Sequence, residues 1–253
     1  MLEQSKTSRV MMKYPIGIQS FEKLRANGYV YVDKTALVYQ MTRDMSVYFL
    51  SRPRRFGKSL LVSTLESYFL GKKELFKGLA LDKLETEWKA YPVLHLDLNA
   101  QNYVNEKALR EELDKHLVIW ERAYGMTIDK SLSPETRFYN VIRTAYKQTG
   151  ERVVVLVDEY DKPLLSTIDN ETLHEVYRGT LKAFFSVLKS MDDYIRFVFI
   201  TGVSKFSHVS IFSDLNNPKD ISMDSRYVNI CGISENELRA YFDTSIHELA
   251  DAN

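Results

Sequence analysis

Short runs of apolar residues recur along the chain, and each has the length of a buried β-strand. The runs cover residues 47–50, 93–98, 153–157, 196–202 and 227–230. The third run, VVVLV, consists of five consecutive aliphatic residues, which is typical of a central parallel strand buried on both faces. We therefore predict a mainly parallel sheet of about five strands.

Longer segments between these runs place apolar residues three or four positions apart, which is the spacing of an amphipathic helix. They lie at 21–27, 36–42, 60–70, 105–123, 134–149 and 171–191, and a further helix is predicted after Ser234. The alternation of strands with helices predicts an α/β fold, a three-layer sandwich with helices on both faces of the sheet.

The pattern also divides the chain. Residues 1–13 are polar and predict a flexible N-terminus, residues 14–232 form the main domain, and residues 233–253 begin a C-terminal helical segment. The stretch 204–225 is polar and irregular, and loops of this length are often functional. We predict a lid or a partner-binding loop there.

Composition limits the partners and the compartment. Among 253 residues, 34 Lys and Arg balance 34 Asp and Glu, so the whole chain has no electrostatic attraction to nucleic acid or an anionic membrane. The dense basic cluster is local, at residues 52–58. One cysteine, Cys231, fits a core position and a reducing cytoplasm. The N-terminus lacks the apolar core of a signal peptide, and no apolar run predicts a membrane span.

The segment after the first strand carries the second half of a phosphate-binding loop, Phe56-Gly57-Lys58-Ser59, before an apolar helix. The general pattern is G-x-x-x-x-G-K-[ST], and Arg52 stands where its first glycine is expected. Gly57 allows close approach of the backbone, Lys58 reaches phosphate oxygens, and Ser59 offers a hydroxyl to Mg²⁺. The alternative is a glycine turn with a solvated lysine. The predicted phosphate-binding residues are Arg52, Pro53, Arg54, Arg55, Phe56, Gly57, Lys58, Ser59 and Leu60.

Two carboxylates follow the most apolar run. In P-loop enzymes the acid at the end of such a strand helps to hold Mg²⁺, which makes Asp158 the candidate metal ligand. Glu159 is then the candidate general base for the attacking water. The alternative is a buried strand that runs into an acidic turn. The two motifs occur in the expected order, about 100 residues apart.

The strand at 196–202 ends in polar residues. Thr201 or Ser204 is a candidate for a position between the two motifs, where it orients the γ-phosphate or the attacking water. A core strand followed by a loop is the equal alternative. For stabilising phosphate charge, Arg55 or Arg52 are candidates in cis and Arg226 is a candidate in trans.

Four stretches together resemble the AAA-ATPase-like family of bacterial P-loop ATPase domains. They are YVDKT at 31–35, RPRRFGKS at 52–59, VLVDEYDKP at 155–163 and TGVSKFSHVSIFSDLNN at 201–217. The similarity runs from about residue 14 to residue 242. The arginine-rich loop without the first glycine is this family's own form.

The resemblance implies a P-loop NTPase sandwich of the additional-strand type, in which one strand is inserted between the P-loop strand and the Asp-Glu strand. It implies ATP and Mg²⁺ as ligands, with Lys58 and Ser59 at the phosphates and metal, the acidic pair beside them, and Thr201 near a sensor position. In related ATPases the segment before the P-loop strand packs beside the base, so Tyr31, Asp33 and Lys34 are candidate base or ribose contacts. A helix cap at Asp33 is the simpler alternative.

The first functional hypothesis is a Mg²⁺-dependent ATPase that powers or gates a protein partner, a homo-oligomer or a nuclease-like domain. The resemblance implies that such a nuclease-like domain often follows in relatives, and we do not expect it within this chain. The second is a nucleotide-dependent switch with little or no turnover. The third is a nucleic-acid-processing accessory module, which the zero net charge weakens.

Overall fold

The computed structural model describes residues 12–44, 46–204, 211–212, 215 and 218–251. The predicted flexible N-terminus therefore lies almost wholly outside the described residues. So does a large part of the predicted loop at 204–225.

Within the described ranges the predicted helices are all present, joined by two short ones that the pattern did not predict, α4 and α7. The helices are α1 (Phe21–Ala26), α2 (Thr35–Thr42), α3 (Lys58–Phe69), α4 (Ala80–Leu84), α5 (Glu106–Ala123), α6 (Pro134–Thr149), α7 (Lys162–Leu165), α8 (Glu171–Ser190) and α9 (Glu235–Asp251). None of the helices in this part of the chain is long and apolar enough to cross a bilayer.

The sheet has five strands, all parallel, in the order β2-β3-β4-β1-β5. They are β1 (Val47–Ser51), β2 (Val93–Asp97), β3 (Val153–Asp158), β4 (Ile195–Gly202) and β5 (Lys219–Asp220). Strand β4 pairs with both β1 and β3, so one strand separates the P-loop strand from the Asp-Glu strand. The predicted α/β sandwich with an additional strand is confirmed.

Strand β3 explains why its sequence is apolar without a break. Val153, Val155 and Val157 pack in one core with α5, α6 and α8, whereas Val154 and Leu156 pack in the other core with α2 and α3. Successive side chains of a strand point to opposite faces, so a strand between two helical layers needs apolar residues at every position. Each buried side chain of this kind contributes about 1.5–3 kcal/mol to stability.

The predicted strand at 227–230 is wrong. Tyr227 and Ile230 are buried while Val228 is 58% exposed, and burial at every third residue fits a turn rather than a strand. A 3-10 turn, Ser225–Tyr227, ends at the first residue of this segment, and residues 228–230 are turn and bend. The fifth strand is instead Lys219–Asp220, inside the stretch that was predicted as a loop.

Cys231 lies in the core, as predicted, and is 6% exposed. Burial raises the pKa of its thiol to about 12, with nearby cations opposing the shift. The thiol is therefore protonated and unreactive at neutral pH.

Helix α9 begins where the sequence predicts it, after Ser234. The Ser234 hydroxyl accepts a hydrogen bond from the Glu237 amide at 3.3 Å, and the Glu237 carboxylate accepts one from the Ser234 amide at 2.8 Å. This reciprocal pair is a capping box. The helix contacts the N-terminal region, since Phe242 stacks on Tyr14 and Glu237 forms an ion pair with Lys34. The boundary between the main domain and this segment stays a prediction.

Candidate active site

The phosphate-binding loop connects β1 to α3 and contains backbone conformations that few residue types adopt. Gly57 has φ 91° and is the N-cap of α3, which begins at Lys58. Arg55 has φ 62°, a left-handed conformation that costs a residue other than glycine about 1–3 kcal/mol. The first N–H groups of a helix lack partners within the helix and carry the positive end of its dipole. The loop therefore has the backbone of an anion-binding turn.

Arg52, which replaces the first glycine of the general motif, holds the base of the loop. Its guanidinium donates to the Ser222 carbonyl at 2.6 Å and to the Ser51 carbonyl at 3.0 Å. The Ser222 hydroxyl in turn accepts a hydrogen bond from the Ser51 amide at 2.9 Å. Arg52 thus connects the end of β1 to the segment after β5, and its charge is used within the protein.

A turn before α9 supports the other side of the loop. The Gly232 amide donates to the Phe56 carbonyl at 3.1 Å, and Gly232 has φ 81°. A Cβ atom at this glycine would lie 2.7 Å from Cε1 of the Phe56 ring. Only glycine therefore fits here without displacing the ring. The sequence pattern gave no signal for this long-range contact.

Lys58 and Glu159, one from each motif, form an ion pair. Lys58 Nζ lies 3.1 Å from Glu159 Oε1, and it also donates to the carbonyls of Arg52 and Pro53 at 3.1 and 3.2 Å. The lysine side chain is 3% exposed and the glutamate side chain 14%. Glu159 has φ 55°, which is a second strained backbone position at this site. The structure thus brings the two predicted motifs into direct contact.

Asp158 and Thr201 form the buried part of the site. The Thr201 hydroxyl donates to Asp158 Oδ1 at 2.6 Å, and Thr201 is fully buried. The Glu159 amide lies 3.4 Å from the same hydroxyl. Because β4 lies next to β3, the end of β4 is where a side chain can orient both acids. Thr201 lies between the motifs, as predicted.

The turn after Glu159 is fixed by two buried residues that the sequence analysis did not single out. The Asp161 carboxylate accepts hydrogen bonds from the amides of Val203 and Ser204, the shorter two at 2.9 and 2.6 Å. The Tyr160 hydroxyl donates to the Ser204 carbonyl at 2.8 Å. Burial raises the pKa of the Asp161 carboxyl, and the two amides partly oppose this shift. These bonds attach the turn to the end of β4.

A cleft of about 460 Å³ lies beside these groups. Eight of the predicted residues line it: Arg54, Arg55, Phe56, Gly57, Lys58, Ser59, Leu60 and Glu159. Four others support it from outside the lining: Arg52, Pro53, Asp158 and Thr201. Six lining residues were not predicted as part of the site: Pro15, Gly17, Ile18, Gln19, Asn99 and Lys162. Asn99 and Lys162 follow the carboxyl ends of β2 and β3, which is the edge where α/β sheets bind ligands.

The candidate base or ribose contacts lie elsewhere and are engaged within the protein. Asp33 accepts hydrogen bonds from the amide and hydroxyl of Thr35 and from the Ala80 amide, at 2.7–2.8 Å. Lys34 pairs with Glu237, and burial raises the pKa of the Tyr31 hydroxyl. These contacts favour the structural alternative, in which Asp33 holds the start of α2.

The donor atoms present suit a magnesium ion. Mg²⁺ prefers oxygen ligands and is usually held by one or two protein oxygens together with substrate phosphates. Ser59 lines the cleft and carries a hydroxyl, and Asp158, whose Oδ1 accepts from Thr201, is a carboxylate buried just outside the lining. No group of three or more His, Cys, Asp or Glu side chains that suits a metal occurs among the described residues. A metal here would thus depend on ligand phosphates.

The cleft is positively charged although the chain is neutral overall. Arg54, Arg55, Lys58 and Lys162 line it, and Glu159 is the acid among the lining residues. A concave site with an excess of one charge sign raises the local concentration of ligands of the opposite sign. The cleft is therefore built for an anionic ligand.

A parallel sheet with an inserted strand, a Gly-Lys-Ser loop at a helix start and an Asp-Glu pair two strands away define a P-loop NTPase-like protein. The chain belongs to the predicted AAA-ATPase family, whose sequence model matches residues 15–212.

One relative is an uncharacterized protein in the vnfD 5' region of Azotobacter chroococcum mcd 1. The two sequences are 43% identical over 231 residues, which cover 91% of this chain and 45% of the relative. The chain thus spans less than half the length of that protein. No solved structure matches this chain.

Proposed function

We propose that this protein binds ATP with Mg²⁺ and hydrolyses its terminal phosphoanhydride bond. The observation that carries the proposal is the contact between the two motifs, with Lys58 Nζ 3.1 Å from Glu159 Oε1 at the edge of a positively charged cleft. Phosphoryl transfer depends mainly on positioning and charge stabilisation, and these groups supply both.

Each group has a distinct role in the proposal. Lys58 binds phosphate oxygens, and Glu159 accepts a proton from the attacking water. Ser59 and Asp158 hold the magnesium ion, which neutralises phosphate charge when bound. Thr201 orients Asp158 through its 2.6 Å hydrogen bond, and Arg55 stabilises charge that develops on the phosphates.

The ion pair also supports the second candidate function, a nucleotide-dependent switch. A triphosphate and Glu159 compete for the same lysine, so ATP binding exchanges the Lys58–Glu159 pair for lysine–phosphate contacts. The strained Glu159 backbone and the turn that follows it are attached to the end of β4. An exchange at Lys58 therefore changes the interactions of a segment next to β4, which is how a bound nucleotide is sensed in a switch.

The partner and the compartment belong to the proposal as well. We propose that ATP turnover powers or gates a partner protein, another copy of the chain or a further domain, in a reducing cytoplasm. The relative of more than twice the length is compatible with a larger assembly of domains. Arg226, the candidate in trans, is exposed and paired with Asp224 at 2.6 Å, so it is accessible to a second copy.

Nucleotide binding and phosphate release with Mg²⁺ test the proposal directly. We expect the wild type to bind and hydrolyse ATP and Lys58→Ala to lose binding. Glu159→Gln keeps the shape of the side chain and removes the base, so it should bind ATP but turn over about 10²–10⁴-fold more slowly. Lys147→Ala, which changes an exposed lysine on α6, is the control.

The outcomes separate the two functions. If the wild type binds ATP and releases no phosphate under any condition tested, the ATPase proposal fails and the switch remains. If the folded wild type binds no nucleotide at all, both fail.

A further inference from the structure

Lys162 lines the cleft, and although it lies in the stretch 155–163, the proposed function gives it no role. It follows Glu159 by three residues and begins the short helix α7. The P-loop cations Arg54, Arg55 and Lys58 follow β1, whereas Lys162 follows β3, and β4 lies between these strands. The ligand in the cleft therefore meets positive charge from two separate strand ends.

The backbone of Lys162 is held in place. Its amide donates to the Glu159 carbonyl at 3.0 Å, which closes the turn. The residue before it, Asp161, is fully buried and bound to the amides of Val203 and Ser204. Pro163, the residue after it, is buried and limits the backbone further. The lysine thus extends from a rigid support, as a ligand-binding side chain requires.

Its ammonium group has no partner within the described part of the chain. Several other lysines do, since Lys34, Lys58 and Lys72 each form an ion pair with a glutamate. Lys162 is only partly exposed, and it faces a cleft with three further cations and one acid, Glu159, which is already paired with Lys58. Placing an unpaired cation in a site with an excess of positive charge is electrostatically unfavourable unless an anionic ligand balances that charge.

We propose that Lys162 binds the terminal phosphate of the nucleoside triphosphate and makes the site prefer triphosphate over diphosphate. This inference rests on the proposed function. A general base must lie within reach of the water that attacks the γ-phosphate. Lys162 is one turn from Glu159, the proposed base, so it lies at the phosphate end of the ligand. Lys58, at the start of α3, contacts the phosphates from the β1 side, and Lys162 contacts the γ-phosphate from the β3 side.

Equilibrium binding of two probes to the full chain tests this inference. The probes are a non-hydrolysable ATP analogue and ADP, each with Mg²⁺. Lys162→Ala should weaken binding of the ATP analogue roughly 10–100-fold, the usual effect of losing a hydrogen bond to a charged group, and change ADP binding less than about twofold. Lys162→Arg should recover most of the loss because it keeps the charge. Lys147→Ala is the matched control, since Lys147 is an exposed lysine on α6 that does not line the cleft.

Steady-state hydrolysis provides a second readout, in which the turnover rate of Lys162→Ala should fall as well as its ATP affinity. Lys162→Gln, which keeps a polar side chain and loses the charge, gives an independent variant if the alanine variant is unstable. Equal weakening of both probes, or no change in either, overturns the inference while wild-type ATP hydrolysis leaves the proposed function intact. Failure of the wild type to bind either probe overturns both.

Discussion

The hydrogen bond from Thr201 to Asp158 offers the sharpest test of how the site is held together. Thr201→Val keeps the branched shape of a fully buried side chain and replaces the hydroxyl with a methyl group. The substitution removes the 2.6 Å bond to Asp158 Oδ1 and leaves a carboxylate with 4% exposure short of one donor. It also removes the acceptor that lies 3.4 Å from the Glu159 amide.

Two magnitudes follow from this geometry. A hydrogen bond to a charged group contributes about 1.5–3 kcal/mol, so the free energy of unfolding should fall by about 2 kcal/mol. For a chain of this size that corresponds to a decrease in Tm of roughly 4–8 °C. Groups that orient a metal ligand typically change metal affinity 10–100-fold when mutated, so half-maximal ATP binding should need roughly 10–100 times more Mg²⁺.

Thermal unfolding measures the first effect, and a magnesium titration of ATP binding measures the second. Thr201→Ser is the matched control because it keeps the hydroxyl and loses one methyl group, at a cost of about 1 kcal/mol in packing. We expect the serine variant to have the magnesium dependence of the wild type.

Two results would refute the reasoning. If the valine variant is destabilised and its magnesium dependence equals that of the serine variant, Thr201 contributes to packing alone. If both variants shift the magnesium dependence equally, the methyl group and not the hydroxyl positions Asp158.

Two further predictions concern the loop and the sheet. Gly232→Ala should weaken ATP binding several-fold because the new Cβ would lie 2.7 Å from the Phe56 ring. Gly78→Ala is the control: Gly78 has nearly the same φ, 80°, but nothing lies within 4 Å of its Cβ position, so this variant should show only the backbone cost of about 1–2 kcal/mol. Equal ATP binding by both variants would contradict this prediction. Burial lowers the pKa of His95, but the Glu66 carboxylate 3.1 Å away outweighs it and raises this pKa above its ordinary value. The His95–Glu66 pair therefore contributes fully to the free energy of unfolding below a pH of about 6.5, the pKa of histidine in the unfolded chain. This contribution is lost as the pH rises through the higher pKa of His95 in the folded protein. Thermal unfolding between pH 5 and pH 9 should thus show a decline that Glu66→Gln reduces, and identical profiles would exclude the pair as its source.

The sequence predicted the elements in which local pattern and tertiary burial agree. Strand β3 is apolar at every position because both of its faces are covered, and this is visible in the residues alone. Strand β5 is not predictable in this way, because Lys219 and Asp220 are exposed and their pairing with β1 depends on the backbone. The apolar run at 227–230 misled for the opposite reason, since its buried residues follow the spacing of a turn.

The residues of the candidate site also fall into those that the local sequence predicts and those that only the fold brings to the cleft. Residues that belong to a compact motif, such as Lys58 and Glu159, were predicted because their spacing along the chain reflects their chemistry. Residues that reach the cleft only through the fold were missed, as the segment 15–19 illustrates. Lys162 lies between these cases. It stands three residues from the predicted base, but its orientation depends on the buried bonds of Asp161, which no periodicity indicates.

The inserted strand β4 accounts for the geometry of the whole site. Neighbouring strands lie about 4.8 Å apart, so β1 and β3 are separated by about 10 Å when one strand lies between them. Lys58 follows β1 and Glu159 follows β3, and their side chains meet at 3.1 Å, while Thr201, near the end of β4, holds Asp158. Without β4 the two motifs would lie side by side, and neither this support nor the space between the P-loop and Lys162 would exist. The same strand therefore sets both the width of the cleft and the orientation of its acids.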